Sequence, residues 1–196
     1  MPLYFHNHPT ILYNILHDNS VVRATDITSR PKLSELAKNA ALVFYEYLVK
    51  DGERADQIAY RYYGDEQLDW IIYLANEMHD PYFAWPLDSF AFDQYIRQRY
   101  GSVSAARNTF HHYEWIIQAQ GTALGPLQER IILPEKVLWV DGTTYAGLSG
   151  PVRRNVDAYS YEETLNENRR HIHILDKIYI PTILRRLREV YPASEV

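Results

Sequence analysis

Ala55-Asp56-Gln57-Ile58-Ala59-Tyr60-Arg61-Tyr62-Tyr63-Gly64-Asp65-Glu66-Gln67-Leu68-Asp69-Trp70-Ile71-Ile72-Tyr73-Leu74-Ala75 carries the clearest periodicity in the chain. Ala55, Ile58, Ala59 and Tyr62 fall at i, i+3, i+4 and i+7, which is one face of a helix. Gly64 stands where a C-terminal cap belongs, and Asp65 is placed to N-cap a second helix. In that helix Leu68, Ile71, Ile72, Ala75 and Met78 share a face, widened by Trp70, Tyr73 and Leu74, until Asp80-Pro81 stops it. The pattern predicts helices near 54–63 and 66–79.

On the N-terminal side, Val43-Phe44-Tyr45-Glu46-Tyr47-Leu48-Val49 has the aromatic and β-branched content of a strand, ended by an Asp51-Gly52 turn. On the C-terminal side, Tyr82, Phe83 and Trp85 suggest an extended return near 82–87. The expected unit over 45–87 is therefore strand, helix, helix, strand, with Ile58, Ala59, Leu68, Ile71, Ile72 and Ala75 in its core. The fold class is α+β.

The flanks are less regular. Residues 1–32 read as an irregular arm punctuated by Pro2, Pro9 and Pro31, with one apolar patch, Ile11-Leu12-Tyr13-Asn14-Ile15-Leu16. Such an arm is either a frayed terminus or a segment that docks on a partner. Leu33, Leu36, Ala37, Ala40 and Ala41 suit a helix over 33–44. Asp88 or Ser89 caps a helix through Phe92, Tyr95 and Ile96, ended by Gly101. Residues 110–157 look like strands and loops, including Tyr113–Ile117 and Arg130–Leu133. Val137–Val140, Asp141-Gly142 and Thr143–Tyr145 together give a hairpin signal. Ser160 and Glu163 form a capping box that opens a helix to about Arg170. His171–Leu175 alternates like a short strand, and Pro181 opens a last amphipathic helix on Ile183, Leu184, Leu187 and Val190. The expected domains are an arm at 1–32, the central module with flanking helices at 33–101, a β-hairpin and loop region at 102–157, and a helix–strand–helix segment at 158–196.

Composition removes several function classes. A formal net charge of −5 and a pI near 5.9 argue against a general nucleic-acid binder. The absence of cysteine excludes disulfide staples, thiolate zinc sites and a cysteine nucleophile. No apolar run reaches the roughly 18 residues needed to cross a bilayer. Met1–His6 lacks the basic start and apolar run of a signal peptide. The 17 Tyr and 4 Trp suit a surface buried against a partner, because these side chains combine large contact area with a polar handle.

Chemistry-bearing motifs are sparse. His6-Asn7-His8 lacks the spread of a nuclease motif along hairpin and helix. His111, His112 and Glu114 have metal-binding side chains, but adjacent strand residues point to opposite faces. His171 and His173 share a strand face, yet two imidazoles make an incomplete site. Phosphate loops, the GxSxG elbow and HExxH are absent. No two carboxylates are singled out as a glycosidase pair. The residues therefore favour a binding or structural protein without catalytic, cofactor or metal residues. Residues 51–80 are acidic, while Arg169, Arg170, Lys177, Arg185, Arg186 and Arg188 make the C-terminal segment basic. Both patches suit solvated helix faces, or oppositely charged neighbours.

Two stretches resemble a known family. Tyr47-Leu48-Val49-Lys50-Asp51-Gly52-Glu53-Arg54-Ala55-Asp56-Gln57-Ile58-Ala59, Tyr62-Tyr63-Gly64-Asp65, Leu68-Asp69-Trp70 and Ala75-Asn76-Glu77-Met78-His79-Asp80-Pro81-Tyr82 with Trp85 make the first. Tyr161-Glu162-Glu163, Asn166-Glu167-Asn168-Arg169-Arg170 and Ile172-His173-Ile174-Leu175 make the second. Together they resemble the gene-53-type baseplate wedge proteins of contractile-tailed bacteriophages. The resemblance implies a LysM-like central module, a place in the virion tail baseplate after assembly in the host cytoplasm, and a structural role without enzymatic activity. It implies partners among the wedge-core subunits, the lysozyme-like sheath-initiator subunit and adjacent wedges. The alternative is a peptidoglycan-binding LysM-type module of a cell-wall-directed tail protein. Glycan binding is disfavoured, because Gly52-Glu53-Arg54 replaces the usual Gly-Asp-Thr turn.

The candidate protein interface comprises Asp80, Pro81, Tyr82, Phe83 and Trp85, with Arg185, Arg186 and Arg188 on the last helix. Two readings of the aromatic lip stand. All three rings close the module's own core, or Trp85 packs inward while Tyr82 and Phe83 project.

Overall fold

The computed structural model describes residues 8–14, 21–26, 43–124 and 130–190. The described residues divide into two compact units: those up to Asp88 together with those from Arg169 onward, and Ser89–Asn168. In chain order the first unit contains β1 (Thr10–Tyr13), β2 (Val22–Thr25), β3 (Phe44–Leu48), α1 (Ala55–Tyr63), α2 (Asp69–Ala75) and α3 (Pro81–Ala84). The second contains α4 (Ser89–Tyr100), α5 (Val103–Asn108), β4 (Phe110–Gln118), β5 (Gly121–Leu124), β6 (Arg130–Leu133), β7 (Lys136–Val140), α6 (Gly142–Gly147) and β8 (Arg153–Asp157). Helix α7 (Ala158–Arg170) ends where the chain returns to the first unit, which β9 (His171–Leu175) and α8 (Ile180–Val190) complete.

Local signals explain the paired helices. The Arg54 N–H donates to Gln57 Oε1 at 3.2 Å ahead of α1, and Ala55, Ile58 and Ala59 form its buried face. Tyr62 is exposed, and Tyr63 turns inward instead. Gly64 adopts φ 80°, the left-handed geometry of a C-cap, and its N–H reaches the Tyr60 carbonyl at 2.9 Å. Asp65 Oδ1 then accepts from the Gln67 N–H at 3.0 Å and starts the turn into α2. The second helix is shorter than its periodicity suggests. It ends at Ala75, because Glu77 takes a positive φ of 54° that a helix cannot continue through. Ala75 is half-buried, whereas Leu68, Trp70, Ile71 and Ile72 are buried.

The strand that completes this unit is not the expected one. β3 pairs antiparallel with β9, with Tyr45 opposite Ile174 and Tyr47 opposite Ile172. The expected return at 82–87 instead begins with α3, where Pro81 occupies the first turn and Asp80 caps it through the Tyr82 N–H at 3.1 Å. Pro81 and Pro86 bracket that stretch and cannot donate to a ladder. His171–Leu175 is better suited, because its alternation buries Ile172 and Ile174 against α1 and α2. The order of elements is thus strand, helix, helix, with a second strand supplied from about 120 residues downstream in the chain. A second apolar cluster joins Leu68, Trp70 and Ile71 to Leu175, Ile180 and Leu187, which is how α8 is held.

The outer edge of β9 is closed by a side chain. Asn76 Oδ1 accepts from the His173 N–H at 2.7 Å, and Asn76 Nδ2 donates to the His173 carbonyl at 2.8 Å. An amide thus takes the place of a neighbouring strand. Two stretches of the supposed irregular arm are regular: β1 and β2 form an antiparallel hairpin, with Ile11 opposite Ala24 and Leu12 opposite Arg23. Strands of four residues are too short for their alternation to stand out. Ile15 and Leu16 of the apolar patch, and the helix expected at 33–44 as far as residue 42, lie outside the described residues.

In the second unit β7, β4 and β8 form a three-stranded antiparallel sheet, and β5 pairs with β6. Two local expectations are corrected. Asp141-Gly142 does not turn a hairpin, because Asp141 caps α6 by accepting from the Thr144 N–H at 2.7 Å. Helix α7 is capped by Asp157, which accepts from the Ser160 N–H at 2.9 Å, so Ser160 lies inside the helix. Buried Glu162 accepts from the Tyr95 and Tyr100 hydroxyls, each at 3.1 Å, and pairs with Arg99 at 2.9 Å.

Candidate interaction surface

Gly52 and the bend after β3 bring Glu53 back under the strand. Its carboxylate accepts from the Tyr47 hydroxyl at 2.8 Å and the Lys50 N–H at 3.1 Å, and pairs with Arg61 at 2.6 Å. Burial alone would raise this carboxyl, but these donors together hold it below the ordinary carboxylate range. A lowered value in the folded state stabilises above the unfolded value of about 4.3, and that contribution is lost as pH falls through the folded one. Glu53→Gln is therefore expected to lower the urea midpoint near pH 7, with the gap to the parent protein narrowing below about pH 4. Urea titrations across that pH range check it.

Glu53 also anchors the aromatic lip. Its backbone carbonyl accepts from Trp85 Nε1 at 3.0 Å, and the indole meets Tyr73 edge-on at 5.9 Å. Burial, with Asp69 and Asp56 nearby, pushes the Tyr73 phenol up to about 12. Trp85 thus packs against the core of α1, α2 and β9. One turn earlier, Tyr82 and Phe83 are 82% and 68% exposed, with their rings edge-to-face at 5.0 Å. Asp80 and Pro81 fix the backbone from which they project. Two aromatic rings therefore stand in solvent on a helical turn whose next residue is bolted to the core.

The basic residues of α8 are not brought to the same condition. Arg185 and Arg186 are exposed, but both lie near Glu189, at 4.0 and 2.7 Å. The side chain of Arg188 lies outside the described part. Sequence reasoning missed the exposed Tyr60 of α1, since an aromatic in a helical run reads as core. Its signal was available: position 60 lies off the 55, 58, 59 stripe.

The histidines depart from the sequence reading. His111 Nδ1 and His112 Nδ1 lie 2.7 Å apart, although neighbouring strand residues ordinarily face opposite ways. The β4–β8 register shifts between Phe110 and His112, and this bulge turns the two rings toward one another. His111 stacks on Tyr161 at 3.8 Å, and His112 Nε2 lies 3.1 Å from Glu114 Oε1. Buried Glu114 also binds Arg154 at 2.6 Å. His171 and His173 are exposed on β9 in the first unit. Among the described residues no group of three or more metal-ligating side chains is arranged to hold an ion.

Residues 9–122 match the family described as base plate wedge protein 53. The baseplate wedge protein gp53 of Enterobacteria phage T4 is 31% identical over 65 residues, a stretch that spans 33% of each chain. The family match takes in β1 to β4, the helices α1 and α2 and the whole aromatic lip, more than half of the sequence, and on that ground the chain belongs to the base plate wedge protein 53 family.

Proposed function

We propose that this chain is a structural subunit of a phage tail baseplate wedge and joins neighbouring wedges around the hub through protein–protein contacts. The observation that carries the reading is the exposed Tyr82–Phe83 pair, held by the Asp80 cap and the partly buried Trp85. Rigid aromatics lose little entropy when a partner covers them, which is why they dominate interface energetics. The partners are other baseplate proteins: wedge-core subunits, the sheath-initiator subunit and adjacent wedges. The site of action is the tail baseplate of the virion, after assembly in the host cytoplasm, and the role requires no bond-making chemistry. The two loops around Glu53 and Trp85 lend no weight to glycan binding, since they are already bonded to each other.

Tyr82→Ala combined with Phe83→Ala is the test. The melting temperature is expected to stay near that of the parent protein, while binding to wedge-core partners weakens about 30-fold or more, corresponding to about 2 kcal/mol. A melting curve beside a wedge-joining assay measures both. A large loss of melting temperature would return the two rings to the core. Unchanged assembly with unchanged melting would remove the lip from the interface.

A further inference from the structure

Among the described residues the outer edges of β1, β2 and β3 in the first unit carry no neighbouring strand, and the bonded pairs fix the phases of the last two. In the hairpin the Asp26 N–H donates to the Pro9 carbonyl at 2.7 Å, so bonded pairs continue at Ile11/Ala24 and Tyr13/Val22. The main-chain groups of Arg23 and Thr25 then point away from β1, to the free edge of β2. In the β3–β9 pair, Val49 donates to Arg170 at 2.9 Å and Asp176 donates to Val43 at 2.8 Å. Bonded positions on β3 are therefore Val43, Tyr45, Tyr47 and Val49, and Phe44, Glu46 and Leu48 present their N–H and C=O groups outward. The same phase sends His173 outward on β9, where Asn76 caps it. β9 is protected and β3 is not.

The β2 and β3 edges match one another. Aligned antiparallel, Thr25 faces Phe44, Arg23 faces Glu46 and Val21 faces Leu48, each outward set of groups meeting the other in phase. Opposite charges then sit directly across the new ladder. Arg23 and Glu46 are both exposed, and neither has an ion partner among the described residues. Shifting the register by two residues in either direction sets Glu46 against Thr25 or Val21 and loses the charge pair. The remaining residues of the hairpin support the same pairing. Ile11, Tyr13, Val22 and Ala24 share its other face, which would continue the sheet face carrying Tyr45 and Tyr47. Exposed apolar side chains on a two-stranded hairpin are weakly stable in water until further strands cover them.

We propose that the β2 edge of one copy of this chain adds antiparallel to the β3 edge of a second copy, with Arg23 opposite Glu46. Among the described residues β2 and β3 belong to separate two-stranded sheets, each with one edge unpaired. The contact uses different surfaces on the two copies, so each copy keeps one further edge through which the pairing can extend to a third, and successive contacts close a ring where the rotation between copies allows it. Its use in joining wedges rests on the reading above, whereas the self-pairing itself does not, and it shares no residue with the aromatic lip.

The chain has no cysteine, which makes a crosslinking test clean. Arg23→Cys and Glu46→Cys proteins are purified separately, mixed and oxidised. Bonded antiparallel pairs have Cα atoms about 5.5 Å apart, within disulfide range. The expected product is a mixed disulfide dimer, identified by mass, that does not form when Tyr45→Cys replaces Glu46→Cys. Arg23→Glu is expected to weaken self-association about fivefold, and Arg23→Glu with Glu46→Arg to restore it. Absence of the mixed dimer, or equal linking through position 45, overturns the pairing. Closure within one chain of the double-cysteine variant also overturns it, by assigning the β3 edge to the chain's own hairpin. None of these results alters the outcome of the Tyr82 and Phe83 test.

Discussion

Ile71→Asp is expected to lower the stability of the first unit by about 3 kcal/mol or more. Ile71 is 1% exposed and packs with Leu68, Trp70, Leu175, Ile180 and Leu187. A carboxylate there is cut off from water among apolar side chains, so it must stay charged without a cationic partner in the cluster or take up a proton. Either course costs free energy, and the loss of the isoleucine adds the transfer energy of its methyl groups. The effect reaches beyond α2, because the same cluster seats α8 and the last residue of β9. Urea unfolding with hydrogen exchange on the helix amides reads the loss, and faster exchange is expected in both α2 and α8. Ile71→Val, which removes one methyl group, is expected to cost about 1 kcal/mol. If Ile71→Asp unfolds at the parent midpoint, the packing of α2 described above is wrong.

Trp85→Ala should cost about 2–3 kcal/mol, below the value for a fully buried indole because Trp85 is partly buried, and in contrast to its exposed neighbours. The substitution empties the space against Tyr73 and leaves the Glu53 carbonyl without its indole donor. Trp85→Phe keeps a ring in place but removes the N–H, so a loss of about 1 kcal/mol is expected. The pair of variants separates packing from hydrogen bonding. It also separates the two parts of the lip: Trp85→Ala lowers the melting temperature, whereas Tyr82→Ala with Phe83→Ala does not. A Trp85→Ala protein that melts like the parent would place the indole outside the core and remove the anchor on which the stiffness of the lip depends.

Glu53 connects these effects to pH. It is held by Tyr47, Lys50 and Arg61 through its carboxylate and by Trp85 through its carbonyl. Acid that protonates the carboxylate therefore loosens the loop that also holds the base of the lip. The same residue thus serves the first unit's stability and the presentation of its exposed aromatic pair.

What the sequence determined by itself was the set of signals that act within a few residues. The stripe of Ala55, Ile58 and Ala59, the Gly64 cap, the Asp65 cap and the alternation of His171–Leu175 all specify a local conformation and the face it buries. Asp80-Pro81 and the aromatic run after it marked the lip, and the same residues carried the family resemblance. The tertiary structure decided everything that depends on a partner distant in the chain. β3 takes β9 rather than the nearby 82–87 stretch, because a strand is chosen by the face it can bury and by whether its N–H groups are free to pair. Asp141 caps a helix rather than turning a hairpin, because a short carboxylate suits both and the neighbouring structure selects one. The bulge before His112 was invisible, since it arises from the register of two strands and not from either alone. Of the three lip aromatics, only Trp85 goes inward, since its indole finds a carbonyl acceptor on the Glu53 loop, some thirty residues earlier in the chain. Local periodicity records which side of an element avoids water, but not which element will cover it, and that choice rests on long-range packing and hydrogen bonds.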